Sequence, residues 1–170
     1  TQRFGTGAPI ILRHQGDEPP FEFHNVTFAH LTGREAAPLT IGAGDVICNR
    51  CFFYRNKNRV SNASPEEKGV IHSSGGDIAL INSHFVLNDS LFGGIYYGSG
   101  SLALLNSVAI ATFTDGLDPT AAFHGTGENQ QFFVRNSTII SNFDTAFRFD
   151  HLSTSNNLLD IGHSIVAAYN

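Results

Sequence analysis

Three aspartates lie in two turn-forming segments that could carry catalysis or hold a cation. Thr114-Asp115-Gly116-Leu117-Asp118 places two carboxylates three positions apart, and Asp144 follows later in Asn142-Phe-Asp144-Thr145. Paired carboxylates hydrolyse glycosidic bonds, and an inverting reaction needs them about 6.5–9.5 Å apart. Carboxylate oxygens also suit a hard cation such as Ca²⁺. Asp-Gly is equally an ordinary turn pair, so a structural turn is the alternative interpretation.

Two aromatic residues and one arginine near these segments are candidate contacts for a sugar. Tyr96, Phe123 and Arg148 each lie in a short apolar segment. If these segments are strands, their side chains alternate between two faces. The sequence predicts carbohydrate contact by these three residues when they face outward. A register shift of one residue would place both aromatic rings in the core instead.

The two cysteines form a lone Cys-x-x-Cys, Cys48 to Cys51. Zinc would require further thiolate or imidazole ligands. The pair flanks a predicted bend, so we consider a local disulfide and two free thiols as the alternatives. The eight histidines show no ligand spacing, and we expect them to be hydrogen bonded or exposed. No metal site is predicted from them.

Two Asn-x-Ser/Thr sequons are candidate glycosylation sites. Asn62 and Asn88 are expected on outer loops, where a secreted eukaryotic chain would accept a glycan. Asn62 belongs to a long polar insertion, 55–68, that is interpreted as a solvated loop or as a binding loop.

The elements that must position these residues follow from an internal repeat. Six segments align on the pattern apolar, any, apolar, any, Asn, small, any, apolar, although the first has no small residue after Asn and the second opens with Asp. They begin at Phe21, Asp45, Ile78, Leu102, Phe132 and Leu159. The predicted ladder asparagines are Asn25, Asn49, Asn82, Asn106 and Asn136, and the sixth segment has His163 at this position.

A second set of short apolar segments separates these repeats. It comprises Leu39–Ile41, Val70–His72, Ile95–Tyr97, Ala122–His124 and Phe147–Phe149. Each repeat therefore predicts three short strands, which are too short for a free-standing sheet. Stacked coil on coil, they pair in parallel and bury a continuous interior. Buried asparagine amides at one bend would hydrogen bond along the stack.

The sequence thus predicts an all-β, right-handed, single-stranded parallel β-helix of about six coils with an Asn ladder. A β-sandwich or barrel with asparagines at its turns is the alternative. We interpret residues 1–170 as one β-helix domain or as a fragment of a longer β-helix.

Composition agrees with a folded chain. Hydrophobic residues make up 41% and charged residues 15%, which argues against disorder. The formal net charge of −5 argues against a partner that is duplex nucleic acid. No apolar run approaches the roughly 18 residues of a membrane-spanning helix.

These repeats resemble the right-handed parallel β-helices of the pectin-lyase-like superfamily, which carry an Asn ladder. They are also similar to the repeats of chlamydial polymorphic outer-membrane proteins, written as Gly-Gly-x-Ile plus Phe-x-x-Asn. Gly93-Gly94-Ile95 is one residue short of the first motif, whereas Phe53-Tyr-Arg-Asn56 and Phe85-Val-Leu-Asn88 match the second. The resemblance covers roughly residues 20–170. It implies the fold and says little about activity, because enzymes, adhesins and passengers share it.

Polygalacturonase-type hydrolases carry Asn-Thr-Asp-Gly-x-Asp at the same bend and an Asp-Asp pair one coil later. By this resemblance Asp115 matches a water-activating carboxylate and Asp144 matches the proton donor. Thr145 replaces the second aspartate of the pair. The family's Gly-His-Gly and Arg-x-Lys motifs have no further coils in this sequence to occupy, which argues against an active enzyme.

Two functions remain. The first is a non-enzymatic scaffold, secreted or on the cell surface, that acts in adhesion or assembly. Its last coil is expected to contact another copy or another chain. The second is a polysaccharide-active hydrolase or lyase, or a degenerate relative that only binds glycan, with Asp115, Asp118 and Asp144 as its catalytic residues. No cofactor is expected, except Ca²⁺ for a lyase.

Overall fold

The computed structural model describes residues 2–4, 10–14, 18–33, 36–58, 69–90, 94–110, 121–141, 145–150 and 156–168. Within these ranges the residues form strands and bends without helix. The described residues therefore contain no helix that is long and apolar enough to cross a membrane. Strands from successive repeats pair in parallel, so the chain is a parallel β-solenoid of about five turns, as the repeat predicts.

The described residues form three long sheets and a short fourth one. Sheet A contains β1 (Gln2–Phe4), β4 (Val26–Ala29), β8 (Phe52–Tyr54), β12 (His84–Val86), β16 (Val108–Ile110), β19 (Thr138–Ser141) and β22 (Ile165–Ala168). Sheet B contains β2 (Ile10–Arg13), β6 (Leu39–Ala43), β10 (Ile71–Ser73), β14 (Tyr96–Gly98), β17 (Phe123–Gly125) and β20 (Phe147–Phe149). Sheet C contains β3 (Phe21–His24), β7 (Val46–Asn49), β11 (Ile78–Ile81), β15 (Leu102–Leu105), β18 (Gln131–Arg135) and β21 (Leu158–Gly162). Sheet D contains β5 (Thr32–Gly33), β9 (Lys57–Asn58) and β13 (Asp89–Ser90).

The core fills the space between the sheets because alternate side chains of each strand point inward. In β7, Val46 and Cys48 are buried on either side of the outward-facing Ile47. Inward residues of successive coils stack on one another. The rings of Phe28, Phe53 and Phe85 form such a stack, with centroid distances of 4.6 and 4.4 Å.

The bend from sheet C to sheet A explains the asparagine column. One residue there adopts left-handed backbone, which asparagine tolerates better than most non-glycine residues. The residues at this bend and their φ angles are Asn25 (56°), Arg50 (56°), Asn82 (51°), Asn106 (49°), Asn136 (50°) and His163 (50°). The column therefore reflects a backbone requirement.

The predicted ladder of buried amides is not found at this bend. The side chains of Asn25, Asn106 and Asn136 are exposed, and those of Asn49 and Asn82 are half-buried. Asn82 Nδ2 donates to Asn49 Oδ1 at 3.2 Å. A side chain on a left-handed bend points away from the core, which is why these amides face solvent.

The second repeat is also one residue out of the register that the pattern predicts. β3 pairs with β7 through Phe21 and Val46, so Arg50 rather than Asn49 matches Asn25. The apolar frame decides this register, because it buries Phe53 in the position that Phe28 occupies one coil earlier. A frame anchored on Asn49 would have buried the outward-facing side chains.

A ladder of small side chains follows the bend and is buried. The hydroxyl of Ser107 accepts from the backbone N–H of Ser83 at 3.0 Å, and Ser137 accepts from the N–H of Ser107 at 3.1 Å. Ser83 and Ser164 extend the column in the same direction, accepting from Cys51 and Ser137. Each hydroxyl therefore satisfies a buried backbone donor of the preceding coil.

A pair of buried asparagines forms a second ladder at the next bend. Asn88 Oδ1 accepts from both the backbone N–H and the side-chain amide of Asn56, at 3.1 and 3.0 Å. The amides of Asn56 and Asn88 donate to the carbonyls of Phe28 and Phe53, each at 3.0 Å. Buried stacked amides thus exist in this chain, within the Phe-x-x-Asn motifs.

A third ladder lies at the turn that enters sheet C, and its bonds run the opposite way. Asp45 Oδ1 accepts from the N–H of Asp77 at 3.0 Å, and Asp77 Oδ1 accepts from the N–H of Ser101 at 2.8 Å. Here the acceptor lies in the earlier coil. At the same turn a Cβ on Gly76 would lie 1.8 Å from the carbonyl oxygen of Gly44, so only glycine fits between the coils.

Candidate functional site

A column of polar and aromatic side chains crosses the outer face of sheet B. His72, Tyr97, His124 and Arg148 are register neighbours on β10, β14, β17 and β20. They alternate with inward-facing apolar residues, which fixes their outward direction. The first three are nevertheless buried. Buried polar side chains on an outer face are unusual and make this column the candidate site.

The rings of the column pack against each other from coil to coil. The rings of His72 and Tyr97 are 6.1 Å apart and nearly parallel, and Tyr97 meets His124 edge-on at 4.8 Å. The column therefore places two imidazoles on either side of one phenol ring.

His124 is paired with a carboxylate. Its Nε2 lies 2.7 Å from Asp150 Oδ1, and Arg148 Nε lies 3.8 Å from the same oxygen. An ionised carboxylate only accepts hydrogen bonds, so it holds the ring with a hydrogen on Nε2. A carboxylate-oriented imidazole is the arrangement that general acid–base chemistry uses.

His72 differs from His124 because both of its ring nitrogens are buried without a hydrogen-bond partner. Burial lowers the pKa of His72 to about 4, so its ring is neutral at physiological pH. A neutral imidazole offers one donor and one acceptor. Both nitrogens are closed to the solvent in this structure.

A cleft of about 380 Å³ opens beside His72 and Tyr97. Hydroxyl groups and one carboxylate line the rest of it, from Ser73, Ser74, Ser99, Thr126 and Asp150. The lining suits a hydroxylated ligand better than an apolar one. Among the residues that the structure describes, no three His, Cys, Asp or Glu side chains are grouped to hold a metal ion.

The predicted catalytic aspartates cannot be placed in this cleft. Asp115, Asp118 and Asp144 lie outside the described residues. Their catalytic role and a Ca²⁺ site built from them therefore remain predictions.

The predicted sugar contacts Tyr96 and Phe123 are wrong. Both rings point inward and are fully buried, and Tyr96 Oη donates to the carbonyl of Gly100 at 2.7 Å. Burial raises the pKa of this phenol well above its usual value. On β14 and β17 the register is shifted by one residue from the predicted one, so Tyr97 and His124 take the outward positions. Arg148 is exposed and faces outward, as predicted.

The sequon prediction is also corrected at one position. Asn88 is fully buried and hydrogen bonded within the Asn56–Asn88 ladder, so no glycosyltransferase reaches it in the folded chain. Asn62 lies outside the described residues.

Cys48 and Cys51 are free thiols and are both buried. Cys51 takes the place of serine in the buried ladder, and its thiol donates to the carbonyl of Phe23 at 3.4 Å. A hydrogen bond from Cys48 lowers the pKa of Cys51, and the same bond raises the pKa of Cys48. Of the two alternatives, this structure has the free thiols, and a disulfide formed on oxidation stays a prediction.

The prediction that the histidines are hydrogen bonded or exposed is wrong for His72, which is buried and has no partner for either ring nitrogen. Asp150 was not identified from the sequence as a site residue. The signal was a carboxylate at the position where earlier coils carry the hydroxyls of Ser74, Ser99 and Thr126.

Comparison with known proteins adds no relative. No protein-family model, no curated protein and no solved structure matches this chain.

Proposed function

We propose that this chain is a non-enzymatic β-solenoid scaffold, secreted or displayed on a cell surface, that acts in adhesion or assembly through its last described coil. One observation carries the proposal. Apolar side chains that belong to the interior are exposed on this coil.

The register identifies these positions as interior ones. Leu159 and Ile161 of β21 pair with Phe132 and Val134, which are fully buried. Leu159 is 39% exposed and Ile161 is 42% exposed. A polypeptide that packs on this end would bury them as the next coil buries the interior elsewhere.

Sheet A also exposes an interior position on its last strand. Val166 of β22 pairs with the fully buried Ile139, yet it is 38% exposed. An open strand also presents unpaired backbone groups, which invite pairing with another strand. We propose end-to-end contact with a second copy. Such a contact joins two different surfaces, so it extends into a filament unless something caps it.

A matched pair of variants tests this contact. Val166→Lys places a charge on the interior side of β22, and Asn156→Lys places the same charge on an exposed residue of the same coil, outside its strands. We expect light scattering to show weaker self-association for Val166→Lys and no change for Asn156→Lys. A wild-type chain that stays monomeric at high concentration would contradict the proposal, and so would equal effects of the two variants.

The cleft on sheet B supports a second candidate function, glycan binding or turnover. Its hydroxyl lining favours it. The test is a reducing-end assay on oligogalacturonides, with Asp115→Asn as the variant that removes a hydrolase's carboxylate. We expect no turnover by the wild type. Turnover that this variant abolishes would make the second function the correct one.

A further inference from the structure

Two arginines occupy bends where the backbone disfavours them. Arg50 has φ 56° and Arg55 has φ 51°, both left-handed. In neighbouring coils the first position is held by Asn25 and Asn82, which tolerate this conformation better. Both arginines are exposed, and among the described residues neither forms an ion pair. At the second position His30 and Leu87 share the left-handed backbone of Arg55. Arg50 is therefore the arginine that replaces a better-suited residue of its neighbours, which points to a role outside the fold.

The strand between these arginines carries an exposed aromatic pair. Phe52 and Tyr54 both point outward from β8, and their rings lie nearly parallel at 5.6 Å. The guanidinium of Arg55 lies 5.0 Å from the centre of the Tyr54 ring. Tyrosine, phenylalanine and arginine are the residue types that anchor protein interfaces.

Aliphatic side chains continue this surface along the solenoid. Val86, Ile110 and Ile140 follow Tyr54 in register on the outer face of sheet A. Phe52 and Ile110 are each exposed by more than a third. We call the row Phe52, Tyr54, Val86, Ile110 and Ile140 the sheet A face. An apolar row of this kind, with one arginine at each edge of its first coil, fits a partner that offers apolar surface and carboxylates.

Sheet C offers such a surface on the same chain. Its outward side chains run Ile47, Ala79, Ala103 and Phe133 through four coils, so two small residues lie between two large ones. The resulting depression, which we call the sheet C groove, has a volume of about 280 Å³. An apolar cavity of about 150 Å³ already holds a benzene ring, so the groove has room for an aromatic side chain.

Carboxylates edge the sheet C groove. Asp45 and Asp77 line it and are exposed. Each uses Oδ1 to cap the backbone of the next coil. The negative charge of both groups remains at the rim. The sheet C groove thus combines the two features that the sheet A face requires.

We propose that the sheet A face of one copy docks into the sheet C groove of a second copy, side by side. Phe52 or Tyr54 fills the groove, and whichever of Arg50 and Arg55 lies on the carboxylate side pairs with Asp45 and Asp77. Both surfaces repeat once per coil, at about 4.8 Å, so two solenoids with parallel axes keep their contacts in step. This contact is separate from the end-to-end contact and does not rest on it.

The two surfaces can be disabled without loss of the fold. Arg50→Asn/Arg55→Asn removes both cations and gives each bend a residue that suits left-handed backbone. Asp45→Asn/Asp77→Asn removes both charges and keeps an Oδ1 acceptor for each ladder bond. Equal unfolding midpoints for the variants and their parent would confirm that only the surfaces changed.

Analytical ultracentrifugation in a Val166→Lys background, which removes the end-to-end contact, tests the proposal. We expect the parent to associate, less so at high salt, and each double variant to associate at least about tenfold more weakly. Each variant retains one intact surface. An equimolar mixture of the two is therefore expected to form a dimer and nothing larger, because the two surfaces are different.

Three results would overturn the proposal. The first is a Val166→Lys parent that stays monomeric at the highest concentration reached. The second is weaker association of the arginine double variant with no change in the aspartate double variant. The sheet A face would then contact something other than the sheet C groove. The third is a mixture of the two variants that fails to dimerise.

Discussion

Asn88 accepts two hydrogen bonds from Asn56 of the preceding coil, one from its backbone N–H and one from its side-chain amide. Both residues are fully buried, and both amides also bond carbonyls of the coil before their own. The pair therefore makes the kind of amide ladder that the sequence predicts elsewhere. Its position determines which asparagines matter for stability.

Asn88→Leu is expected to destabilise the fold strongly. It removes the partner of the backbone N–H and of one side-chain N–H of Asn56, and the donor to the carbonyl of Phe53. Each buried group left unpaired costs roughly 1–3 kcal/mol. Asn106→Gly is the control, because glycine suits its left-handed bend and the side chain is exposed. We expect this control to stay within about 1 kcal/mol of the wild type. Urea unfolding measures both, and equal losses would contradict the assignment.

Ser107→Ala is expected to cost about 1–3 kcal/mol, because it leaves the buried N–H of Ser83 without an acceptor. Ser107→Cys should recover part of this loss. Cys51 already fills the same column and donates from its thiol as serine does. Thermal melts of the three proteins test the order, and a cysteine variant less stable than the alanine variant would speak against it.

His72 makes stability depend on pH. Burial lowers its pKa from 6.5 to about 4. The unfolded chain takes up the proton first as the pH falls. The free energy of unfolding is therefore highest above about pH 6.5 and decreases toward pH 4. The full shift corresponds to on the order of 3 kcal/mol.

His72→Phe is expected to remove this part of the pH dependence, because phenylalanine keeps a ring of similar shape. Its stability should fall less than that of the wild type between about pH 7.5 and about pH 4.5. The exposed His84 supplies the control variant, His84→Phe. Parallel pH profiles for the wild type and His72→Phe would refute the assignment.

A mild oxidant is expected to join Cys48 and Cys51. They are the only two cysteines of the sequence, and a hydrogen bond links their thiols. Alkylation in denaturant followed by mass spectrometry should find two labelled thiols before oxidation and none after it. Cys48→Ala should keep one labelled thiol throughout. Two labelled thiols after oxidation would mean that the pair does not close.

The repeat alone predicted the fold, because the inward positions of successive coils share a chemistry that a pattern can detect. It did not predict which column is buried. Asn82 and Ser83 are adjacent and both recur, and only the left-handed φ of Asn82 turns its side chain outward and leaves Ser83 in the core. That dihedral is a property of the bend and not of either residue type.

The candidate site was harder to predict than the fold. Tyr96 and Tyr97 are both aromatic, so their residue types indicate no preference for the register of β14. The structure separates them through the interior, where Tyr96 packs edge-on against Phe132 at 5.8 Å. Asp150 acquires its role only when β20 places it beside His124 from the preceding coil.

The opposed directions of the ladders have a consequence for how the solenoid comes apart. If a later coil opens, its serine hydroxyl is lost as an acceptor, and the backbone N–H of Ser83 or Ser107 is left without a partner. If an earlier coil opens, the backbone N–H of Asp77 or Ser101 loses its carboxylate acceptor instead. The opening of either neighbouring coil thus leaves an unpaired N–H in the coil that stays closed. A boundary between open and closed coils therefore has a high free energy. In the language of one-dimensional repeat arrays, strong nearest-neighbour terms suppress partly open states. The chain should therefore melt as a single block, with amide exchange across its central coils governed by one common opening event.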